Sequence, residues 1–279
     1  MPKTILITGA TSGFGLLTAR LALSRGWVVA AASRHPEAVP PDGTGRERLL
    51  PLRMDLSDPA SVREGLRAME ERFGAPDALV NNAGIGLLGA AEEVAPEALR
   101  RQFETNFFGA VELTRAVLPA MRARRGGQLV FVSSDLGRTG APGLSAYCAT
   151  KHALEGWAES LFHEAAPFGI GVTIIEPGAF RTGFHERSME VAAGVKDPSS
   201  PYAPLYQSLA TEFFGGPEPP AGESVAEAIL LAAEGREPRL RVPVGEDAQE
   251  WSKGRFVAEE EAFIRDLAGR FGWHAWRSS

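Results

Sequence analysis

The chain opens on a short apolar and β-branched run, Thr4 to Thr8 (TILIT), that stops at a glycine-rich turn. A run of that length bounded by a turn predicts a buried strand. From Gly15 to Arg25 the apolar residues Leu16, Leu17, Ala19, Leu21 and Leu23 gather on one side, and Gly26 stands where a left-handed residue ends a helix. Trp27 to Ala32 (WVVAAA) predicts the second strand. The alternation then repeats. Leu49 to Arg53 predicts a strand, and Ser57 or Asp58 caps a helix that carries Pro59 in its first turn and runs to Phe73 before Gly74. Ala78 to Asn81 predicts a strand, Pro96 to Arg125 a long helix containing Pro119, Gln128 to Ser133 a strand, Ser145 to Phe168 a helix and Val172 to Glu176 a strand. Nearly continuous apolar strands alternating with helices imply an α/β fold, a doubly wound parallel sheet covered on both faces.

After Pro177 the regularity lapses. Residues Thr182 to Gly222 hold six prolines and five glycines with only short helical patches, an excursion too irregular for a second domain. Structureless stretches of that length tend to be functional, as lids are. The expected organisation is one domain over 1–279, with a substrate-covering excursion at 183–222 and a C-terminal helical extension at 246–279. Ser224 to Glu234 predicts a helix, Leu240 to Val244 a last strand and Glu259 to Phe271 a terminal helix.

Composition narrows the function. With 279 residues, 44% apolar and 23% charged, the chain is ordinary for a globular protein and large enough for a substantial core. A formal charge of −6 argues against nucleic acid, because backbone binding needs a concentrated basic surface. No window holds eighteen uninterrupted apolar residues, and the chain starts directly on a strand pattern, so neither a membrane span nor a leader is expected. A single cysteine, Cys148, rules out a disulfide within the chain and fits a reducing, cytoplasmic location. The histidines at 35, 152, 163, 185 and 274 have no ligand spacing, so no metal is expected.

Between the first strand and helix stands TGATSGFG, residues 8–15. Glycines at Gly9, Gly13 and Gly15 allow a tight turn and present backbone N–H groups at a helix N-terminus, a ready site for a pyrophosphate. The spacing is GxxxGxG, not the usual GxGxxG of dinucleotide sites. Those sites place an acidic residue about twenty positions on, to bond the ribose; here Ser33-Arg34 occupies the place. Arg34 can pair with a 2′-phosphate, which favours NADP over NAD. Asp55-Leu56, after the third strand, falls at the sheet edge beside the adenine position, with a turn role for Asp55 in close competition.

Two further residues ask for an explanation. Tyr147 and Lys151 lie four apart at the start of a helix, hence on one face at about 5–6 Å. A free phenol has a pKa of about 10, and an adjacent ammonium favours its phenolate. Taken together, TGATSGFG, NNAG at 81–84, Asn106 in ETNFFGA, Ser134 in FVSSD, YCATK at 147–151 and PGAFRT at 177–182 resemble the short-chain dehydrogenase/reductase family over residues 3–245. The stretches GIGLLGAAEE and YCATKHALEGWAESL look most like its steroid- and retinol-oxidising branch.

The resemblance implies a single-domain Rossmann-type fold and hydride transfer between a nicotinamide and an alcohol or carbonyl. It implies that Tyr147 is the general acid/base, that Lys151 lowers its pKa and holds the nicotinamide ribose, that Ser134 bonds the reacting oxygen, and that Asn106 kinks its helix and holds a water. Ser133 is the rival to Ser134, whose thirteen-residue spacing to Tyr147 is preferred. It also implies that Gly9, Thr11, Ser12, Gly13, Phe14, Gly15, Asn81, Ala83, Gly84, Pro177, Gly178 and Thr182 lie along the cofactor, Asn81 also tying central strands together. The expected substrate is an apolar small molecule, for which Phe180, Phe184, Met189, Tyr202, Tyr206, Phe213 and Phe214 are candidate wall residues. A 3-oxoacyl thioester reductase and a non-catalytic NADP(H) sensor are the alternatives. Assembly into a homodimer or homotetramer through the two long helices is also implied.

Overall fold

A computed structural model describes residues 2–38, 46–213 and 218–257. Strand β1 (Thr4–Thr8) leads into helix α1 (Gly13–Ser24), strand β2 (Val28–Ser33), strand β3 (Leu49–Arg53), helix α2 (Pro59–Phe73) and strand β4 (Ala78–Asn81). There follow β5 (Gly86–Leu88), α3 (Pro96–Phe103), α4 (Gly109–Arg124), β6 (Gly127–Val132), α5 (Ser145–Ala165) and β7 (Ile170–Pro177). The chain continues through α6 (Phe184–Arg187), β8 (Met189–Val191), α7 (Ala203–Ser208), α8 (Glu223–Ala233), β9 (Arg241–Val244) and α9 (Glu246–Val257). Seven strands form one parallel sheet in the order β3-β2-β1-β4-β6-β7-β9, and β5 pairs with β8 in a separate two-stranded ribbon. This is a single-domain Rossmann-like α/β fold.

Why the strands read as unbroken apolar runs is visible in their packing. Ile5, Ile7, Val29, Ala31, Val80, Val130 and Ile175 turn to one face, under α1 and α8. Their neighbours Leu6, Ala30, Leu79, Leu129, Phe131 and Ile174 turn to the other, under α2, α4 and α5. A strand's side chains alternate between faces, so both registers must be apolar when both faces are covered.

The helix ends follow local chemistry. Asp58, not Ser57, caps α2: its carboxylate accepts from the Ala60 N–H at 2.9 Å, and Gly74 closes the helix at φ 79°. The expected long helix over 96–125 is two helices joined by a π-helical turn, Glu104–Phe108, and it continues straight through Pro119. Arg125 ends it in the left-handed region at φ 53°. Helix α9 opens the C-terminal helical extension expected over 246–279, whereas the expected helix Glu259–Phe271 lies outside the described residues, as do Trp273 and Trp276. The excursion is pinned by the β5–β8 ribbon and by a bridge between Arg181 and Ala221. Among the described residues no helix is long and apolar enough to cross a membrane.

Gly109 is where α4 touches the loop before α2: a Cβ there would stand 2.3 Å from the Leu56 carbonyl oxygen. Alanine is the better helix former by about 1 kcal/mol, but overlap with backbone costs about 1–3 kcal/mol. Gly109→Ala is therefore expected to lower the urea midpoint, and a midpoint at or above that of the parent protein would show that the loop yields freely.

Candidate active site

The strand order reverses between β1 and β4, and at their carboxyl ends the chain encloses a cavity of about 380 Å³. Open α/β sheets bind ligands at such a crevice. Gly9 turns at φ 68°, and Gly15 has no room for a side chain, since a Cβ would lie 2.4 Å from the Gly9 carbonyl oxygen. Thr11, Ser12, Gly13 and Phe14 line the cavity, while Gly15 supports the turn from behind. Ser12 is extended and its side chain does not cap α1. The first amides of α1 are thus left for an anion, as a helix N-terminus favours. This cradle fits a dinucleotide pyrophosphate.

Beyond the turn, Ser33, Arg34, Asp55 and Leu56 form the next part of the wall. Ser33 Oγ accepts from the His35 N–H at 3.2 Å, and Arg34 is exposed beside it. The Asp55 carboxylate accepts from the Ser57 N–H at 3.0 Å and from its hydroxyl at 2.7 Å, so it serves the turn as well as the wall. Burial raises its pKa, but these bonds, with Arg34 and Arg53 nearby, outweigh that and hold it below the usual carboxylate range.

Ala83 and Gly84 line the cavity; Asn81 does not. Its side chain is buried toward α4, where Nδ2 donates to Thr114 Oγ1 at 3.0 Å. The neighbouring Asn82 faces the cavity and does the tying expected of Asn81: its amide donates to the Thr8 carbonyl at 2.8 Å and the Gly9 carbonyl at 3.3 Å. Adjacent positions on a strand point to opposite faces, so a shift of one residue exchanges the two roles.

The reactive groups meet opposite this wall. Ser134 follows β6, Tyr147 and Lys151 stand on the first turns of α5, and all three line the cavity. Ser134 stands close enough to Tyr147 to favour its ionised form. Lys151 Nζ donates to the Val132 carbonyl at 2.8 Å and sits 5.7 Å from the centre of the Tyr147 ring. Ser133 also borders the cavity, but its hydroxyl is packed beside Gly137, where a Cβ would come within 2.5 Å of it. Asn106 is buried in the π-helical turn, its amide donating to the Ile85 carbonyl at 2.8 Å and Thr150 Oγ1 at 3.1 Å while its oxygen accepts from the Ile85 N–H at 2.8 Å. It braces the loop after β4 from behind the cavity.

Burial dominates the electrostatics of this pair. It pushes the Tyr147 hydroxyl well above the ordinary phenol value, Ser134 drawing it back in part while Asp135 and Cys148 raise it further. Burial also lowers the Lys151 ammonium to about 8, against the opposing charge of Glu155. Both shifts have one cause, the cost of holding charge away from water.

The remaining wall holds Pro177, Gly178, Phe180, Thr182, Phe184 and Met189, the Phe184 ring standing 6.1 Å from that of Tyr147. Tyr202 and Tyr206 lie outside the cavity, Tyr206 bonded to Glu93; the side chain of Phe213 and all of Phe214 fall outside the described residues. Sequence reasoning missed Asp135, Asp247, His185 and Trp251, which also line the cavity. Asp247 accepts from the Ala179 N–H at 2.7 Å and so folds α9 over the Pro177-Gly178 segment.

Comparison with known proteins decides the family. Residues 3–192 match the short chain dehydrogenase family. The chain belongs to it. Retinol dehydrogenase 8 of Bos taurus is 35% identical over 257 residues, covering 86% of this chain and 80% of the relative. The crystal structure of a short-chain dehydrogenase from Streptomyces avermitilis superposes with a TM-score of 0.80 at 34% identity, covering 100% of this chain and 99% of the other. One from Burkholderia cenocepacia, in complex with NADP, gives 0.76 at 26% identity, covering 95% and 97%. As a short-chain dehydrogenase, the protein is an NAD(P)-dependent oxidoreductase of a small molecule.

Near these cavity-lining groups of the dehydrogenase lies an ionic cluster with two buried carboxylates. Arg241 Nε meets Glu155 Oε2 at 2.8 Å and Glu176 Oε1 at 3.6 Å, while Arg138 reaches Glu176 at 3.6 Å. Burial and the Glu155 charge push Glu176 up to about 7. A carboxyl whose folded pKa is raised contributes most to stability below its unfolded value, and that contribution is lost as pH climbs through about 7. Removing the arginine leaves buried carboxylates uncompensated. Arg241→Met is expected to destabilise the fold by about 3 kcal/mol at pH 8 and by clearly less at pH 5.5, read from urea midpoints; an equal loss at both would assign Arg241 a packing role only.

Proposed function

We propose that the protein reduces the carbonyl group of an apolar small molecule with NADPH as the hydride donor, Tyr147 acting as the general acid. The observation that carries the reading is that Ser134, Tyr147 and Lys151 line one cavity wall, the Lys151 ammonium 5.7 Å from the centre of the Tyr147 ring. The bound nicotinamide supplies hydride to the carbonyl carbon. Ser134 and Tyr147 bond the carbonyl oxygen, and Tyr147 passes its proton to that oxygen as negative charge develops there. A phenol held above its ordinary pKa is protonated at neutral pH, which suits donation and hence the reductive direction. Lys151 orients the ribose, and Asn106 keeps the loop that carries Ala83 and Gly84 in place.

NADP rather than NAD follows from Arg34 at the end of β2, where a carboxylate would repel a 2′-phosphate, and the Burkholderia cenocepacia neighbour binds NADP. Apolar substrate specificity is supported by Leu144, Phe184, Met189 and Trp251 on the cavity wall and by the likeness to a retinol dehydrogenase. The excursion at 183–222, anchored by the β5–β8 ribbon, covers the substrate. Assembly would use α4 and α5, next to the half-exposed Phe108, and the single buried cysteine suits a cytoplasmic protein.

Turnover of apolar ketones, aldehydes and 3-oxoacyl thioesters tests the reading directly. NADPH oxidation is expected on an apolar ketone or aldehyde, at least about tenfold faster than with NADH, and Tyr147→Phe is expected to lose about 100-fold or more in kcat, as loss of a general acid does. Preference for NADH would overturn the role of Arg34. Preference for thioesters would change the substrate class, and tight NADPH binding with no turnover would make the protein a sensor.

A further inference from the structure

Asp135 follows Ser134 directly, in the turn after β6, and closes the FVSSD stretch that carries the serine. Its Oδ1 accepts from the Ser134 hydroxyl at 2.7 Å and from the Leu136 N–H at 2.8 Å. The same N–H lies 3.2 Å from Ser134 Oγ, so the three groups form one tight knot at the cavity wall. A serine hydroxyl has one proton to give. In the observed arrangement that proton goes to Asp135, whereas the proposed reaction needs it on the substrate oxygen.

We propose that Asp135 is a positioning residue that decides whether Ser134 can donate to the reacting oxygen: as a carboxylate it holds the serine proton, and as a carboxylic acid it donates its own to Ser134 Oγ and releases the serine hydroxyl toward the substrate. The inference rests on the proposed carbonyl reduction and names a control within that site. The switch takes up one proton from solvent at Asp135 and with it reverses the direction of one hydrogen bond.

The surroundings favour the acid form. Asp247 from α9 and Glu176 from β7 face Asp135 with like charge, and Tyr147 and Cys148 face it from α5. Lys151 is engaged with the Val132 carbonyl, Arg138 on the same turn is paired with Glu176, and His185 of α6 lines the same cavity. Among the described residues no ion pair reaches Asp135. Burial with these neighbours pushes its carboxyl up to about 7. The switch therefore falls in the neutral range, and the sign is fixed: Asp135 is protonated and Ser134 free below that point, and Ser134 is held above it.

Two measurements test this on the full-length protein. In the first, carboxyl carbons are labelled in all aspartates and titrated by NMR, the Asp135 signal being identified by its loss in Asp135→Asn. It is expected to titrate near neutrality and to titrate higher in Ser134→Ala, which removes the donor that favours the carboxylate. An ordinary carboxylate titration, or one that Ser134→Ala leaves in place, overturns the proposal, and neither result depends on any substrate being found.

The second is the pH profile of kcat/KM for carbonyl reduction. Between pH 6 and pH 8 the wild type is expected to fall about tenfold as Asp135 ionises, whereas Asp135→Asn keeps only the later limb set by Lys151. In a Ser134→Ala background, Asp135→Asn should no longer alter the profile, because its effect runs through the serine. A neutral limb that survives in Asp135→Asn, or an Asp135 effect that persists without Ser134, overturns it. Absence of any carbonyl turnover would sink the proposed function, leaving the NMR titration to decide the coupling of Asp135 to Ser134.

Discussion

Thr8 and Asn82 close the gap between β1 and β4, and the cavity depends on that closure. Thr8 Oγ1 donates to the Val80 carbonyl at 3.3 Å and accepts from the N–H groups of Asn82 and Ala83, each at 3.0 Å. In return the Asn82 amide donates to the carbonyls of Thr8 and Gly9. At a point where both strands run out of partners, side chains take over the pairing that the sheet no longer supplies. The glycine turn is thereby fixed against the end of β4. Without that brace the turn could drift from the wall that carries Ala83 and Gly84, and the first amides of α1 would lose their aim.

How far the sequence could be read follows from which features are local. Continuous apolar strands and the glycine stops after α1 and α2 are local, and β1, β3 and β4 fall where the pattern puts them. The choice between Asp58 and Ser57, or between Ser134 and Ser133, turns on one residue of register, which a pattern does not resolve unaided. Asn81 was mistaken for Asn82 for the same reason. Helix α9 has too few apolar residues, chiefly the buried Ala248 and the partly buried Trp251, to set a clear 3.6-residue period; the acidic first turn after Gly245 marks its start. Asp247 belongs to the site through its bond from the Ala179 N–H, 68 residues away in sequence, which no spacing rule reports.

A second layer sits under the catalytic groups. Glu155 stands one helical turn beyond Lys151 and Glu176 directly before Pro177, so the two acids connect the reactive end of α5 with the segment that borders the cavity. Arg241 on the last strand pairs with both, and Arg138 after β6 pairs with Glu176. Such a cluster contributes little net stability, since desolvation offsets most of its attraction. What it does supply is geometry: α5 and the turn after β6 are tied at defined separations to the paired strands β7 and β9.

Burial gives the site a single chemical bias. Tyr147, Asp135 and Glu176 are all acids whose charged forms are disfavoured away from water, and Lys151 is drawn down toward neutrality by the same cost. At neutral pH the phenol is therefore protonated, while Asp135 and Glu176, pushed up to about 7, titrate in the neutral range. Desolvation thus sets the protonation states from which any reaction at this wall starts, and the proposed carbonyl reduction would draw on the Tyr147 proton.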